Sequence, residues 1–140
     1  MVLTLTLKGR SIVPGRVRGT ALVSTKPISF LGGVDVNTGT IIERDHDLYG
    51  KSIKDVILCF PHGRGSTVGS FVLYRLAKSG LAPKAIINSI ADPVVVVGAI
   101  IANIPMVDKI DIEMIANGNV IEVDGGEGIV RVFRGEQACI

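Results

Sequence analysis

DVILCFPHGRGSTVGSFVLYRLAKSG, the stretch at residues 55–80, decides the fold. Its opening run, 55–60, is apolar after the first residue, which is typical of a strand buried on both faces. From Val68 to Leu76, apolar residues recur at three- and four-residue steps, which predicts a helix, and Gly80 follows as its stop signal. The stretch therefore predicts a buried strand, a glycine-rich turn and a helix, in that order.

The residues after this unit predict a parallel pairing and then a second helix. KAIINS at 84–89 has the composition of the next buried strand, and a strand reached through a helix is expected to pair by a right-handed parallel crossover. Asp92 and Pro93 fit the N-cap and first position of a helix over 94–102. Four consecutive valines in that segment would equally suit a strand, but we favour the helix.

Both ends of the chain favour strands. The alternation of leucine and threonine over 3–7 and the run at 17–24 predict an antiparallel beginning. Near the other end, 119–124 and 129–133 flank GGEG as a hairpin. Shorter elements are expected as strands at 40–43 and 110–113, a long irregular loop at 25–39, and a polar turn at 45–52. The sum is a mixed α/β fold with one βαβ unit in its middle.

Length and charge limit the class of protein. The 140 residues fit one domain over 1–140, with a flexible tail expected at 134–140. The net charge is +2, with basic residues scattered among acidic ones, which does not indicate binding to nucleic acid. No stretch approaches the length of a membrane span and the amino terminus is unlike a signal peptide, so we expect a cytoplasmic protein without membrane contact.

Cysteines and apolar content give two further expectations. Cys59 and Cys139 lie far apart and lack metal-binding spacing, so this chain is not expected to hold a metal by itself. The hydrophobic share is 47%, with 17 glycines, which suits an apolar partner surface and a rich aliphatic core about equally well.

The glycine-rich turn is the candidate site. A strand that runs through glycines into a helix places free N–H groups and the positive end of the helix dipole at the turn, where an anion is favoured. Ser66 and Thr67 stand where the helix is expected to begin, although Ser66 is equally well explained as a helix cap. Gly63 and Gly65 permit close approach to a ligand. Arg64 offers a fork suited to carboxylate or phosphate. The lysine of a Walker loop is absent, which disfavours a nucleotide.

Other polar residues are better explained by structure than by catalysis. A solvent-facing or structural role is favoured for His62 over a general base or a phosphorylated histidine, and a turn role for His46 over a metal ligand. Asp35 is expected to cap a turn in preference to binding substrate, and Asp92 to cap a helix. No paired carboxylates of a glycosidase lie near the turn, and no GxSxG elbow occurs.

Around these residues the sequence resembles the aconitase X small-subunit family, whose members are separate swivel-domain chains that pair with a larger subunit. The resemblance covers most of residues 9–102, and the combination of PISFLGGVD with GRGST is specific. The matching blocks are GRSIVPGRVRGTALVSTKPISFLGGVDVNTG, HDLYGKSI, PHGRGSTVGS and APKAIINSIADPVVVVGAIIA. This resemblance implies a single aconitase-like swivelling β/β/α domain built around the strand, glycine turn and helix.

The resemblance also implies a division of labour between two chains. Ser66 is implied as the base that removes the proton from the carbon next to a carboxylate, with no metal in this chain. An iron–sulfur cluster, expected to be of the [4Fe–4S] type, would lie on the larger subunit and take the leaving hydroxyl, in a heterodimer or larger complex. The residues implied to bind substrate are Arg64, Gly65 and Thr67 in the turn, and Phe30, Gly32, Gly33 and Asp35 in a second wall of the cleft.

For the substrate, a separate small subunit implies dehydration of (R)-5-phosphomevalonate, a small phosphorylated hydroxy acid, to trans-anhydromevalonate 5-phosphate in an archaeal mevalonate pathway. The alternative within the family is a cis-3-hydroxyproline dehydratase. From other classes, a phosphohistidine swivel carrier would use His62, but its histidine follows a Thr-Ser pair, whereas His62 precedes Ser66. A non-catalytic assembly module is the remaining alternative.

Overall fold

The computed structural model describes residues 2–134, which form one eight-stranded mixed sheet with helices against it, as the predicted α/β class requires. The strands are β1 Val2–Lys8, β2 Arg10–Val13, β3 Arg16–Val23, β4 Ile57–Phe60, β5 Ala85–Asn88, β6 Met106–Asp108, β7 Val120–Asp124 and β8 Ile129–Arg134. The helices are α1 Phe30–Gly33, α2 Gly69–Lys78, α3 Pro93–Ala102 and a 3₁₀ turn at Ile112–Met114. None of these helices is long and apolar enough to cross a membrane.

The sheet curls on itself. Its strand order is β1-β8-β7-β3-β4-β5-β6-β2, so the two edge strands, β1 and β2, are separated in the chain by Gly9 alone. A Cβ at Gly9 would lie 2.1 Å from the carbonyl oxygen of Asp108, so only glycine fits this corner. Arg10 then binds both carboxylate oxygens of Asp108 at 2.9 and 2.7 Å. One continuous chain segment therefore supplies both edges of the curled sheet.

Strand β3 joins an antiparallel half of the sheet to a parallel half. Its residues 16–20 pair antiparallel with β7, whereas 21–23 pair parallel with β4. Beyond it, β4, β5 and β6 continue in parallel, which confirms the predicted parallel pairing of β4 with β5. The predicted hairpin is confirmed as β7 and β8. The carboxyl ends of four parallel strands consequently meet at one edge.

Two apolar cores lie on opposite faces of the parallel strands. In β4, Leu58 and Phe60 belong to the core beneath α2 and α3, while Ile57 and Cys59 point into the other core, which β7 and β8 help to form. This alternation is what the continuous apolar run required, because a strand covered on both faces has no polar side.

The helix after β5 is confirmed, and its start has the predicted cap. The carboxylate of Asp92 accepts a hydrogen bond from the N–H of Val94, with Pro93 at the first helical position. α3 packs closely against α2, since a Cβ at Gly98 would lie 2.7 Å from a methyl carbon of Leu73. The two helices are further joined by the hydroxyl of buried Ser70, which donates to the carbonyl of Val94 at 2.7 Å.

Three local expectations are wrong. The antiparallel beginning does not form, because β7 and β8 insert between β1 and β3. No strand forms over 40–43, where Thr40 and Ile41 make only isolated bridges before the chain turns. Over 110–113 the carboxylate of Asp111 accepts from the N–H of Glu113 at 3.1 Å and closes a 3₁₀ turn instead of a strand. The tail expected at 134–140 begins on the last residue of β8, and 135–140 lie outside the described residues.

Candidate active site

The glycine-rich turn lies at the carboxyl edge of the parallel strands. It begins at Pro61, after β4, and ends at Gly69, where α2 starts. Because β4 lies between β3 and β5, the turn is flanked by the segments that follow those two strands. This edge is where open α/β sheets place their ligands. From Arg64 to Val68 the turn is exposed to solvent.

Two segments that the sequence singled out run side by side here. Ile28 forms a parallel bridge with Gly63. The N–H of Ile28 donates to the carbonyl of His62 at 3.3 Å, and the N–H of Arg64 donates back to the carbonyl of Ile28 at 3.1 Å. The segment that contains α1 is therefore held against the glycine-rich turn by its backbone.

Gly65 is required at the centre of the turn for two reasons. Its φ is +93°, a conformation that other residues adopt only with strain. In addition, a Cβ there would lie 2.6 Å from the hydroxyl oxygen of Ser29, which itself donates to the carbonyl of Leu31 at 2.9 Å. Gly65 thus lets the turn lie directly against the segment that leads into α1.

Ser66 is exposed and lies upstream of α2 instead of capping it. Its hydroxyl oxygen accepts from the N–H of Val68 at 3.1 Å, which closes a local turn. The cap position of α2 is Val68, whose side chain can accept no hydrogen bond, and α2 begins at Gly69. The hydroxyl of Ser66 therefore stands at the mouth of the helix with one weak local contact.

Three consecutive backbone N–H groups are open beside this hydroxyl. Those of Gly65, Ser66 and Thr67 donate no hydrogen bond to any residue among 2–134. The first turn of α2 contains no acidic residue that could fill the position. Successive free N–H groups at the positive end of a helix favour a bound anion.

The side chain of Arg64 is anchored next to the open turn. Its guanidinium donates to the Oε1 atom of Glu43 at 2.5 Å, with about half of the Arg64 side chain exposed. Both residues line a cavity of about 460 Å³ together with Lys26, Pro27 and Asp45. Glu43 and Lys26 were missed from the sequence, because nothing in the pattern around them indicates that 25–45 folds back onto the turn.

The residues of the proposed second wall differ in position. Phe30 is buried and packs edge-on against Phe60 with ring centroids 6.0 Å apart. Gly32, with φ of +82°, is exposed with open space around it, whereas a Cβ added at buried Gly33 would lie 3.7 Å from a carboxylate oxygen of Glu43. These residues lie in α1, next to the turn.

Asp35 is not brought to the turn. Its carboxylate accepts from the N–H of Asn37 at 2.8 Å, which is the turn role that the sequence favoured. The same loop packs through Gly39 against Leu81, just beyond the carboxyl end of α2. Asp35 therefore belongs to a loop at the opposite end of the helix from Ser66.

The two histidines have structural partners. His46 is buried, with its Nδ1 accepting from the N–H of Leu48 at 3.0 Å and its Nε2 lying 3.0 Å from the carbonyl of Pro27. Partial burial alone would raise the pKa of the neighbouring Asp47, but hydrogen bonds from the Ser24 hydroxyl and nearby groups hold that pKa below its usual value. These contacts fix the turn at 45–49, so His46 has the turn role predicted for it.

His62 contacts its own turn. Its Nδ1 lies 2.7 Å from the carbonyl of Gly63, while its backbone carbonyl accepts the hydrogen bond from the N–H of Ile28. Among the described residues, no carboxylate or hydroxyl group forms a hydrogen bond with the His62 ring.

The described residues offer no metal site. Between residues 2 and 134, no three side chains of histidine, cysteine, aspartate or glutamate come together in a way that could hold an ion. Cys59 is fully buried in β4, and burial raises the pKa of its thiol far above the usual value, so it stays protonated. These side chains do not fit an iron–sulfur cluster.

Comparison with known proteins decides the family. The sequence profile of the aconitase X swivel domain matches residues 6–132. The chain belongs to the aconitase X swivel domain family. Among curated relatives, the phosphomevalonate dehydratase small subunit of Thermococcus sibiricus is 60% identical over 126 residues, which cover 90% of this chain and 97% of that one.

Solved structures agree with this aconitase X assignment. The crystal structure of Thermococcus kodakaraensis aconitase X in its holo-form superposes with a TM-score of 0.92 at 48% identity, over 94% of this chain and 100% of that one. The 3-isopropylmalate dehydratase of Methanocaldococcus jannaschii superposes with a TM-score of 0.57 at 13% identity, over 87% and 85% of the two chains, and shares the fold alone. The predicted swivel fold and the predicted family are both confirmed.

Proposed function

We propose that this chain is the small subunit of a hydro-lyase that dehydrates (R)-5-phosphomevalonate to trans-anhydromevalonate 5-phosphate, with Ser66 as the base. The supporting observation is the open turn, where an exposed hydroxyl adjoins three unused N–H groups and an arginine. The proposal also draws on the relative from Thermococcus sibiricus, which is called a phosphomevalonate dehydratase small subunit.

The reaction needs one proton removed and one hydroxyl released. As its alkoxide, Ser66 takes a proton from the carbon next to the substrate carboxylate. The electron pair of that C–H bond forms the new double bond, and the hydroxyl leaves from the adjacent carbon. Arg64 and the mouth of α2 favour the alkoxide, because positive charge and a helix N-terminus stabilise an anion.

The remaining turn residues hold the negative ends of the substrate. Arg64 offers two donors to a carboxylate or phosphate once it leaves Glu43, and the open N–H groups of Gly65 and Thr67 lie in the same turn, just before α2. Phe30, Gly32 and Gly33 form the second wall, with Phe30 acting through its buried packing. Asp35 contributes only by shaping the loop that follows α1.

A larger subunit completes the site. The leaving hydroxyl requires a Lewis acid, and the side chains at 2–134 do not fit one. We assign a [4Fe–4S] cluster to the partner chain, in a cytoplasmic heterodimer or larger complex. The role of the present chain is then to bring Ser66 and the anion-binding turn to a substrate bound between the two subunits.

The test is reconstitution of the complex. The chain is co-expressed with its large subunit, the cluster is rebuilt without oxygen, and the complex is incubated separately with (R)-5-phosphomevalonate and with cis-3-hydroxyproline. We expect mass spectrometry to show loss of water from phosphomevalonate only. Dehydration of hydroxyproline alone would show that the substrate is hydroxyproline and not phosphomevalonate. Product from neither compound would overturn the proposed reaction.

A further inference from the structure

The outer surfaces of α2 and α3 are unusually apolar. Several large apolar side chains there are exposed to solvent, between 40% for Tyr74 and 64% for Phe71. We define the α2–α3 face by the exposed residues Val68, Phe71, Tyr74, Val97, Ile100 and Ile101. Contiguous apolar surface of this kind on a soluble domain marks a site of interaction.

Helix α3 shows the pattern most clearly. Its sequence, PVVVVGAIIA, contains no charged or hydrogen-bonding side chain, and only Val95, Gly98 and Ala99 are buried. A helix that packs on one side and faces water on the other normally has polar residues outside. The apolar exterior of α3 is therefore explained by a second surface that covers it.

The α2–α3 face is continuous with the open turn. A groove of about 260 Å³ runs between the two helices and is lined by residues that include Thr67, Val68, Phe71 and Val97. Thr67 is the immediate neighbour of Ser66, so the groove begins one residue from the proposed base. A chain that supplies the other half of the active site must reach Ser66 and so must also approach this groove.

The charges on these helices favour a particular partner. α2 and α3 contain no acidic residue, and their only ionised side chains are Arg75 and Lys78 in the last turn of α2. Lys78 lies over the ring of Tyr74, with its amine 5.8 Å from the ring centroid. The complementary surface is apolar at its centre and acidic where it meets the carboxyl end of α2.

We infer that the α2–α3 face is the surface on which the large subunit docks, with an apolar patch of that subunit over Phe71 and Ile100 and an acidic rim opposite Arg75. This inference rests on the proposed function for the identity of the partner. A second copy of this chain is disfavoured, because two such faces would offer no acid on these helices to pair with Arg75 and Lys78.

The test compares two double variants. Phe71→Ser with Ile100→Asn removes exposed apolar groups from the face, while Val2→Ser with Leu3→Asn removes groups of similar exposure, 55% and 48%, from β1. The dissociation constant for the large subunit is measured by isothermal titration calorimetry, after circular dichroism and thermal melting show that both variants are folded.

We expect the first variant to weaken binding at least about 100-fold, as loss of a central aromatic anchor does, and the second to bind within about twofold of the wild type. At saturating large subunit, turnover by the first variant should return to the wild-type rate. Equal affinity of both variants would overturn the inference, as would a wild-type dimer of this chain that only the first substitution dissociates. Binding that depends on the face without turnover of any substrate would instead overturn the proposed reaction alone.

Discussion

The two long helices begin in opposite ways. At α3, the carboxylate of Asp92 accepts from the N–H groups of Gly63 and Val94, and the carboxylate of Asp108 accepts from the N–H of Ala91. At α2, no side chain caps the helix and the N–H groups of Gly65, Ser66 and Thr67 stay open. Both helices follow parallel strands and begin at the same edge of the sheet, so topology does not explain the difference.

The contrast separates a structural helix start from a functional one. At α3 the chain supplies its own anions, and the positive end of the helix is neutralised within the fold. At α2 an external anion can take that place, beside the exposed hydroxyl of Ser66. The difference predicts that substitutions in the turn before α2 reduce catalysis and that substitutions at the start of α3 reduce stability.

The largest effect is expected at Ser66. Ser66→Ala should lower kcat of the reconstituted complex by roughly 10²- to 10⁴-fold, the usual contribution of a positioned base. The free energy of unfolding should change by less than about 1 kcal/mol, because the hydroxyl is exposed. Ser52→Ala is the matched control, since its hydroxyl accepts from the N–H two residues later in the same way, at 3.2 Å. Equal kcat values for the two variants would show that Ser66 only closes a local turn and is not the base.

A smaller loss is expected from Gly65→Ala. The added Cβ would meet the Ser29 hydroxyl and strain a φ of +93°, and displacement of the turn by about 1 Å can cost about 10²-fold in kcat/KM. Gly50→Ala has a comparable φ of +81° but open space around it, so it should cost about 1–2 kcal/mol of stability without loss of activity. Steady-state kinetics together with urea unfolding would distinguish the two; similar kinetics would show that the close approach at Gly65 is dispensable.

At the start of α3 the expected effects are on stability. Burial alone would raise the pKa of Asp108, but hydrogen bonds from Arg10 and the N–H of Ala91 hold that pKa below its usual value. Because the folded pKa is lower than the unfolded one, the stabilisation is complete above the unfolded pKa, about 4, and is lost as pH falls through the folded pKa.

Asp108→Asn should therefore cost about 2 kcal/mol at neutral pH, less than a fully buried pair because Arg10 is half exposed. It should also flatten the fall in stability on acidification. Urea unfolding from pH 3 to pH 7 measures both. A variant as acid-sensitive as the wild type would show that Asp108 does not provide this stabilisation.

The smallest effect is expected from the cap of α3. Asp92→Ala removes the acceptor for Val94 N–H and should cost about 1 kcal/mol, or somewhat more because Gly63 N–H also loses its partner. Asp111→Ala, which removes a similar cap from the 3₁₀ turn, is the control and should cost less, since it leaves one N–H without a partner. Thermal melting of the isolated chain would compare them. A greater loss of activity than of stability at Asp92 would contradict its structural role.

The difference between the helix starts could be predicted only in part. Asp92 followed by Pro93 is a local signal, and the structure confirms the helix and its cap. The strand, turn and helix around Ser66 could also be predicted, because hydrophobic periodicity and glycine placement are signals within a few neighbouring residues.

The contacts between distant segments could not be predicted. The pairing of β2 with β6 joins Arg10 to Asp108 across 98 positions, and Arg64 meets Glu43 across 21. Such contacts depend on how the sheet curls, which no local pattern specifies. The sequence also predicts that the helix begins near Ser66, as its cap or first residue, whereas in the structure α2 begins at Gly69 and leaves Ser66 just upstream with neighbouring N–H groups open.

The most direct test of the claim that Ser66, just upstream of α2, is the catalytic base is the rate of proton removal itself. In a single turnover of the reconstituted complex, phosphomevalonate deuterated next to its carboxylate is compared with the unlabelled compound for the wild type, Ser66→Ala and Ser52→Ala. We predict that deuterium slows the wild type and Ser52→Ala alike, and that Ser66→Ala still binds substrate but removes the proton roughly 10²- to 10⁴-fold more slowly. Proton removal by Ser66→Ala at the rate of Ser52→Ala would contradict the claim.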